Sequence, residues 1–200
     1  MKSAFAVAVG AAMLTVCAAS HAGPNLLVNG SFESGLASWT TNGFMLQGYD
    51  YGIDNDAQSG ANAFYGGGIE QLGFLRQTFS SVAGQVYDLD FWLKSDGFLP
   101  NRFEVIANGQ ILFDLEDILI LPYGARHVSF TATGTSTLLE FGFRDDSGAL
   151  HLDNVTVSAV PEPVSSALLL LGLGAIAARR RSFLRSACDG TLPIPRKHSF

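Results

Sequence analysis

The middle of the chain reads Arg102-Phe103-Glu104-Val105-Ile106-Ala107-Asn108-Gly109-Gln110-Ile111-Leu112-Phe113-Asp114-Leu115. Two apolar runs flank an Asn-Gly pair, which is typical of a two-residue type I′ turn because both central residues of that turn need a positive φ. The pattern predicts an antiparallel β-hairpin with strands at Arg102–Ala107 and Gln110–Leu115.

Similar runs recur on both sides of this hairpin, separated by Gly, Asn, Asp and Ser, while helical periodicity is nearly absent. Further strands are predicted at Phe74–Phe79, Val86–Lys94, Arg126–Thr131, Leu138–Arg144 and Ala149–Ser158. About eight to ten strands in a domain of this length predict an all-β sandwich or jelly roll. An apolar core must hold it together, because both cysteines, Cys17 and Cys188, lie outside the predicted domain at residues 23–159.

The predicted domain is strongly acidic. Residues 23–159 contain 16 acidic and five basic side chains, a formal charge of −11, whereas the whole chain carries −6. Nucleic acid is a poor partner for such a surface, since phosphates require positive charge. Neutral glycans and calcium suit it better.

The first 22 residues have the features of a secretory signal peptide. Lys2 provides a positive start, Ala4–Ala19 is almost wholly apolar, and Ser20-His21-Ala22 is a small-x-small cleavage site. A lipoprotein box ending at Cys17 is the alternative, although the bulky Val16 stands where such boxes have Gly or Ala. The sequence therefore predicts export through the Sec pathway and folding outside the cytoplasm.

Residues 160–181 form a second targeting pattern. It consists of Pro161-Glu162-Pro163, an apolar segment at Val164–Ala178 and the cluster Arg179-Arg180-Arg181. The apolar segment is short for a bilayer core of about 30 Å, at about 1.5 Å per helical residue. Arginines at its end are expected to stay on the cytoplasmic side.

This order resembles the PEP-CTERM sorting signal of Gram-negative bacteria that make exopolysaccharide. The resemblance implies an exosortase-type processing enzyme as partner, a short transmembrane sorting helix, transient anchoring in the inner membrane, and release to the cell surface or extracellular matrix. A plain stop-transfer anchor is the alternative. Residues 182–200 extend beyond the usual end of such signals and are predicted to be a disordered tail.

Four segments of the domain resemble the galactose-binding-like jelly rolls, which include carbohydrate-binding modules. In order they are Asn25–Glu33, Ser59–Phe64, Gly84–Leu89 and Leu150–Val157. The resemblance implies a structural calcium ion that ties the first strand to the last through Glu33 and Asp153, with carbonyls near Ser59 and Gly60. The alternative is that Glu33 caps a turn and Asp153 accepts hydrogen bonds from amides at a strand end.

Sugar binding by such a domain requires exposed aromatic rings beside polar groups. Tyr49, Tyr51, Phe98 and Tyr123 are the candidates, because they occur in Gly-, Asp- or Pro-containing segments predicted as loops. Phe98-Leu99-Pro100 and Leu121-Pro122-Tyr123 are predicted to line one rim. Trp39 and Trp92 are expected to be buried.

Catalysis is not expected. The acidic pairs Glu116-Asp117 and Asp145-Asp146 invite comparison with glycosidases, but adjacent residues on a strand face opposite sides. No Gly-x-Ser-x-Gly motif is present, and His127 and His151 have no evident nucleophile nearby in the sequence. The hypothesis is a non-catalytic, carbohydrate-binding-like surface protein associated with exopolysaccharide or biofilm matrix. Two alternatives stay open: a self-associating matrix protein without a defined sugar ligand, and a secreted glycan hydrolase.

Overall fold

A computed structural model describes residues 23–161 and Gly172. The described part contains ten strands: β1 (Thr40–Asn42), β2 (Tyr51–Asp54), β3 (Ala63–Gly66), β4 (Gly73–Ser80), β5 (Val86–Ser95), β6 (Asn101–Ala107), β7 (Gln110–Glu116), β8 (Leu121–Thr131), β9 (Ser136–Asp145) and β10 (Leu150–Ala159). They form two five-stranded antiparallel sheets, in the orders β1-β4-β9-β6-β7 and β2-β3-β10-β5-β8. The prediction of an all-β jelly-roll sandwich is confirmed.

All seven predicted strands are present, and the hairpin turn has the predicted positive φ at Asn108 (48°) and Gly109 (80°). The main difference is that β8 begins at Leu121, five residues before the predicted Arg126. Tyr123 therefore lies in a strand, where the sequence predicted a loop. The short strands β1, β2 and β3 are not among the seven, because three or four residues give too little alternation to detect.

The core lies between the inner faces of the sheets and is rich in phenylalanine. Six rings are fully buried or nearly so: Phe32, Phe64, Phe91, Phe103, Phe141 and Phe143. Phe103 and Phe143 meet with ring centroids 5.2 Å apart. Because burying such a side chain contributes about 1.5–3 kcal/mol, this aromatic core is a main source of stability in a domain without disulfides.

The chain enters and leaves the sandwich at one end, which we call the terminal end. The entering segment runs along β10, where Leu26 N donates to Val157 O (2.8 Å) and Gly23 lies beside Ala159. At the other end of β10, about 33 Å away at about 3.3 Å per residue, lie five connections that we call the loop end. These are residues 43–50, 67–72, 96–100, 117–120 and 146–149.

The sandwich is self-contained. Its buried hydrophobic side chains lie between Leu27 and Val157, and the described residues 23–160 group into one compact unit. We therefore expect residues 23–160 to fold on their own.

Three predicted segments fall outside the described residues: the signal peptide at 1–22, the tail at 182–200 and most of the sorting signal. Pro161 is described and exposed, and of the apolar segment only Gly172 is described. Within the described part of the chain, no helix is long and apolar enough to cross a membrane.

Candidate functional site

An open cleft of about 230 Å³ lies at the loop end. Three connections form it, 43–50, 67–72 and 146–149, together with Asp145 at the end of β9. Its lining includes Tyr49, Asp50, Ile69, Asp145 and Asp146. The cleft thus combines one aromatic ring with several polar groups at the end of the sandwich opposite the terminal end.

Tyr49 stands at the rim of this cleft with 74% of its surface exposed. Its loop is braced by the buried Asp50, whose Oδ2 accepts hydrogen bonds from Met45 N (2.9 Å) and Leu46 N (3.0 Å). Because the loop is already held in place, less conformational entropy is lost when a ligand orders it. Tyr49 is therefore well placed to stack on a sugar ring.

Two neighbouring carboxylates in the cleft have opposite environments. Asp145 is 1% exposed, and burial together with the nearby Asp96 carboxylate raises the pKa of Asp145 to about 6. Asp146 accepts two hydrogen bonds from Arg144, at 2.9 and 2.8 Å, which lower the pKa of Asp146 to about 2. At neutral pH Asp146 is compensated by a partner, whereas Asp145 is not.

Phe98, the second predicted ligand residue, lies on the adjacent 96–100 connection and is 55% exposed. Leu99 beside it, and Leu119 and Ile120 on the 117–120 connection, are also exposed. The two connections are joined by Asn101, whose Nδ2 donates to Phe98 O (2.6 Å) and Ile118 O (2.8 Å). We call these four exposed side chains the apolar ridge: Phe98, Leu99, Leu119 and Ile120.

The other two predicted aromatics have bracing contacts instead. Tyr51 stacks on Phe44 at the edge of the core, with ring centroids 4.7 Å apart. Tyr123 is partly buried and its hydroxyl donates to Asp56 O (2.6 Å); burial raises the pKa of Tyr123. Tyr49 and Phe98 are thus the exposed members of the predicted set.

Both tryptophans were expected to be buried, and this holds for Trp39 but not for Trp92. Trp39 is buried, and its Nε1 donates to Asn29 O at 2.9 Å. Trp92 is partly exposed on the outer face of β5, because Phe91 and Leu93 on either side of it point inward. The alternation of apolar and polar residues along β5 places Trp92 on the outer face, and the sequence interpretation missed this.

Glu33 and Asp153 hold the 58–62 segment by hydrogen bonds. Asp153 Oδ2 accepts from Gln58 N (2.9 Å) and Ser59 N (3.1 Å), and Glu33 Oε1 accepts from Ala61 N (2.9 Å) and Asn62 N (3.0 Å). Burial raises the pKa of the Asp153 carboxyl, and the charge of Glu33 adds to the effect.

This arrangement is the hydrogen-bonded alternative to the calcium site. Four backbone N–H groups point at the two carboxylates, where a calcium ion would require oxygen atoms. Among the described residues, no group of three or more His, Cys, Asp or Glu side chains could hold a metal ion. These hydrogen bonds agree with the tethered-loop alternative, and calcium binding by Glu33 and Asp153 stays a prediction.

The remaining acidic residues of this region also have partners. Asp54 Oδ2 lies 3.1 Å from His151 Nε2, and Asp56 forms an ion pair with Lys94. These contacts fix the 55–62 segment against the outer face of the second sheet.

One histidine has a nucleophile beside it that the sequence interpretation overlooked. His127 Nδ1 lies 2.8 Å from Asp90 Oδ1, and His127 Nε2 lies 3.3 Å from Ser129 Oγ. Residues two apart on a strand share a face, which is the signal that could have revealed the pair. However, Ser129 Oγ donates to Asp88 Oδ1 (2.6 Å), and the hydrogen bond to Asp90 raises the pKa of His127. The Ser129 hydroxyl is therefore directed at Asp88 and not at the imidazole that would have to take its proton as a general base.

The most buried glutamates are also engaged. On the outer face of the first sheet, Glu104 lies 3.1 Å from Arg102, and Glu140 lies 2.6 Å from Arg76. Burial raises the pKa of Glu104. With an arginine beside each, these carboxylates are occupied by ion pairing and do not stand free as an acid and a nucleophile.

Comparisons with known proteins bear on both the targeting segment and the fold. Residues 159–182 match the PEP-CTERM protein-sorting motif, so the chain carries this signal where the sequence placed it. Comparison of the sequence with curated proteins gives no match.

Solved structures similar to the chain share its sandwich. TmCBM61, solved in complex with β-1,4-galactotriose, has a TM-score of 0.56 at 16% identity, over 68% of this chain and 99% of its own. The xylan-binding domain CBM22-1 of Xyn10C from Paenibacillus barcinonensis has a TM-score of 0.54 at 19% identity, over 72% and 100%. A cleaved adhesin domain of Lys-gingipain from Porphyromonas gingivalis has 0.53 at 19%, over 66% and 96%. At these identities the likeness shows the fold alone.

Proposed function

We propose that this protein is exported, processed by an exosortase-type enzyme at its sorting motif, and displayed at the cell surface or in the extracellular matrix. There its sandwich binds polysaccharide without cleaving it. The matched motif at residues 159–182 supports the first part, and the jelly-roll fold shared with carbohydrate-binding modules supports the second.

The observation that carries glycan binding is the position of Tyr49. Its exposed ring stands at the rim of an open cleft whose lining is rich in carboxylates and backbone polar groups. Sugars are held by this combination, because a ring face stacks on the apolar face of a pyranose while polar groups pair with hydroxyls. The formal charge of −11 over residues 23–159 favours a neutral glycan over an acidic one.

A non-catalytic role is supported by the state of the acids and histidines described above. Glu104 and Glu140 are paired with arginines, and the Ser129 hydroxyl donates a hydrogen bond to Asp88. Product analysis after prolonged incubation with any bound glycan tests this part of the proposal, and release of shorter oligosaccharides would contradict it.

Glycan binding is tested on an array with the purified sandwich, residues 23–160, and with the variant Tyr49→Ala. Loss of a stacked aromatic worth about 1.5–3 kcal/mol weakens binding by about tenfold or more. Val82→Ala is the control, because Val82 is also largely exposed (64%) but lies at the terminal end. Equal weakening by both variants, or no binding by the folded wild type, would contradict a site at Tyr49.

Sorting is tested in the native host with the full chain. Replacing Pro161, Glu162 and Pro163 by Ala should leave uncleaved precursor in the inner membrane, because the processing enzyme is expected to act at this motif. Replacing Arg179–Arg181 by Ala is the companion variant for membrane retention. Unchanged release of the first variant would remove the processing step from the proposal.

A self-associating matrix protein is the second candidate, and the apolar ridge is the observation that favours it. Four large apolar side chains exposed together at the loop end are a typical contact surface. Light scattering over a concentration series tests this candidate: self-association that Phe98→Asp abolishes supports assembly, and a monomer at all concentrations would contradict it.

A further inference from the structure

The hydrogen bonding of the sandwich reaches the residue directly before Pro161-Glu162-Pro163. Strand β10 runs to Ala159, which pairs with Tyr87 of β5, and Val160 N donates to Val86 O at 2.9 Å. The match to the sorting motif begins at residue 159, so the first two matched residues are bonded to the sheet. The sheet and the sorting motif therefore overlap in sequence, and no linker separates them.

The side chain of Gln85 holds the end of this strand. Its Nε2 donates to Val160 O (2.6 Å) and to Val86 O (3.1 Å), so one amide group joins residue 160 to the neighbouring strand. The backbone of Gln85 is fixed separately, because its N–H donates to Val82 O (3.0 Å) and its carbonyl accepts from Ala132 N (2.9 Å). The amide is thus aimed at Val160 from a turn that is already held. We call the contacts of Gln85 and Val86 with Val160 the latch.

The latch is the last attachment of β10 among the described residues. Pro161 is exposed and has no backbone N–H, so it cannot extend the ladder beyond Val160. On the other side of β10, the hydrogen bonds of the entering segment end at Val157, where Leu26 N donates to Val157 O and Asn25 Oδ1 accepts from Val157 N. Residue 160 is therefore held by the latch alone.

A latched residue 160 is not free to pair with another protein. Peptides are commonly bound in extended form through their own backbone N–H and C=O groups. Here both groups of Val160 are occupied, the N–H by Val86 O and the C=O by Gln85 Nε2. An enzyme that binds the chain just before Pro161 can pair with this residue only after the latch opens. Opening at the end of a strand costs far less free energy than unfolding the domain, so the sandwich can stay folded.

We propose that Gln85 is a positioning residue for processing at the sorting motif: its amide latches Val160 to the sheet, and opening of this latch limits the access of the exosortase-type enzyme. The inference rests on the proposed processing step and makes the rate of that step depend on the folded sandwich. Gln85 takes no part in the cleavage itself and acts only through Val160.

Amide hydrogen exchange measures the latch directly, on residues 23–163, which contain the whole sandwich. Gln85→Glu keeps the shape of the side chain but removes its donor, so the Val160 amide should exchange at least about fivefold faster. The Val157 amide, held by Asn25, is the internal reference and should keep its rate. Gln110→Glu is the matched control, because Gln110 is an exposed glutamine at the start of β7 and the change adds the same charge. Equal exchange of Val160 in the wild type and in Gln85→Glu would overturn the latch.

Pulse-chase labelling of the full chain in the native host measures the consequence for processing. Gln85→Glu should convert the precursor about fivefold faster than the wild type, and Gln110→Glu should convert it at the wild-type rate. A Gly-Ser-Gly-Ser insertion between Val160 and Pro161 is a second variant that leaves the latch closed. It supplies free residues before the motif, so it should also be processed faster.

The outcomes separate this inference from the proposed function. A wild-type rate for Gln85→Glu would overturn the inference and leave the proposed processing in place. Faster processing of the insertion alone would overturn it too, because the sandwich would then hinder the enzyme by its bulk and not through Gln85. If Gln85→Glu fails to fold, an unchanged rate for the insertion overturns the inference. No processing of the wild type would overturn the proposed function itself, and the role of the latch with it.

Discussion

Two adjacent aspartates, Asp145 and Asp146, should respond to the same substitution with opposite signs. Replacing Asp145 by Asn removes a buried negative charge beside Asp96, and the new amide can donate a hydrogen bond to that carboxylate. Replacing Asp146 by Asn removes the partner of Arg144. In chelator at neutral pH, we therefore expect Asp145→Asn to stabilise the sandwich and Asp146→Asn to destabilise it.

The size of the stabilisation by Asp145→Asn follows from the pKa of Asp145, which rises from 3.8 to about 6 on folding. At 1.36 kcal/mol per unit, ionising Asp145 in the folded state costs about 3 kcal/mol. Because the folded state binds this proton more tightly than the unfolded state, the cost is absent below about pH 4. It grows as the pH rises towards the folded pKa and is complete above it.

Ionised Asp146 stabilises the folded state, so its effect on stability changes with pH in the opposite direction. Its pKa is lowered from 3.8 to about 2 by the contacts with Arg144, so its contribution is present above about pH 4 and is lost as the pH falls towards 2. The pair is partly solvated, and screening reduces its contribution to about 1 kcal/mol.

Urea unfolding at pH 7.5 and pH 4.0 measures both effects. At pH 7.5, with an m-value of about 2 kcal/mol per M, the midpoint should rise by about 1.5 M in Asp145→Asn and fall by about 0.5 M in Asp146→Asn. At pH 4.0 the gain from Asp145→Asn should largely disappear. A gain of equal size at both pH values, or a loss at pH 7.5, would refute the reasoning about the buried carboxyl pair.

Three further predictions concern other parts of the sandwich. Gly60→Ala should lower the free energy of unfolding by more than Gly35→Ala, by at least about 1 kcal/mol in urea titrations, because both glycines have positive φ but a Cβ at Gly60 also meets Glu33 Oε1 within 2.3 Å. Equal losses would show that the contact is unimportant. Asp153→Asn should cost about 1–3 kcal/mol, since an amide has one acceptor oxygen for three backbone donors, and Tm by calorimetry checks this. Asp90→Asn should lower the pKa of His127 in an NMR titration, and an unchanged titration would mean that the hydrogen bond is not formed in solution.

Much of the fold could be predicted from the sequence, because the long strands are strongly patterned. The turn at Asn108-Gly109 and the alternation of β5 are local signals that need no tertiary information. The early start of β8 could not be read in this way, since Pro122 and Gly124 are residues that usually mark loops. They are tolerated here because β8 is at the edge of its sheet, paired on one side only.

The candidate site was predicted in part. Exposure of Tyr49 and Phe98 follows from their loop-like surroundings, whereas the contacts of Tyr51 with Phe44 and of Tyr123 with Asp56 depend on segments distant in sequence. The cleft itself is formed by three connections, and no local pattern reveals that Asp145 faces Asp96 across 49 positions. The sequence interpretation treated Asp145-Asp146 as one acidic pair, while the fold gives the two side chains opposite surroundings.

The closeness of Gly23 to Ala159 makes the sandwich a module that can be transplanted. A domain whose two ends lie close together can be inserted into a surface loop of a host protein with short linkers. The two cut ends of the host loop then stay near each other, so the host fold is not distorted. The same closeness allows the ends to be joined and new ones opened at the exposed Asn108-Gly109 turn. Such rearranged chains would leave all five connections of the loop end uncut.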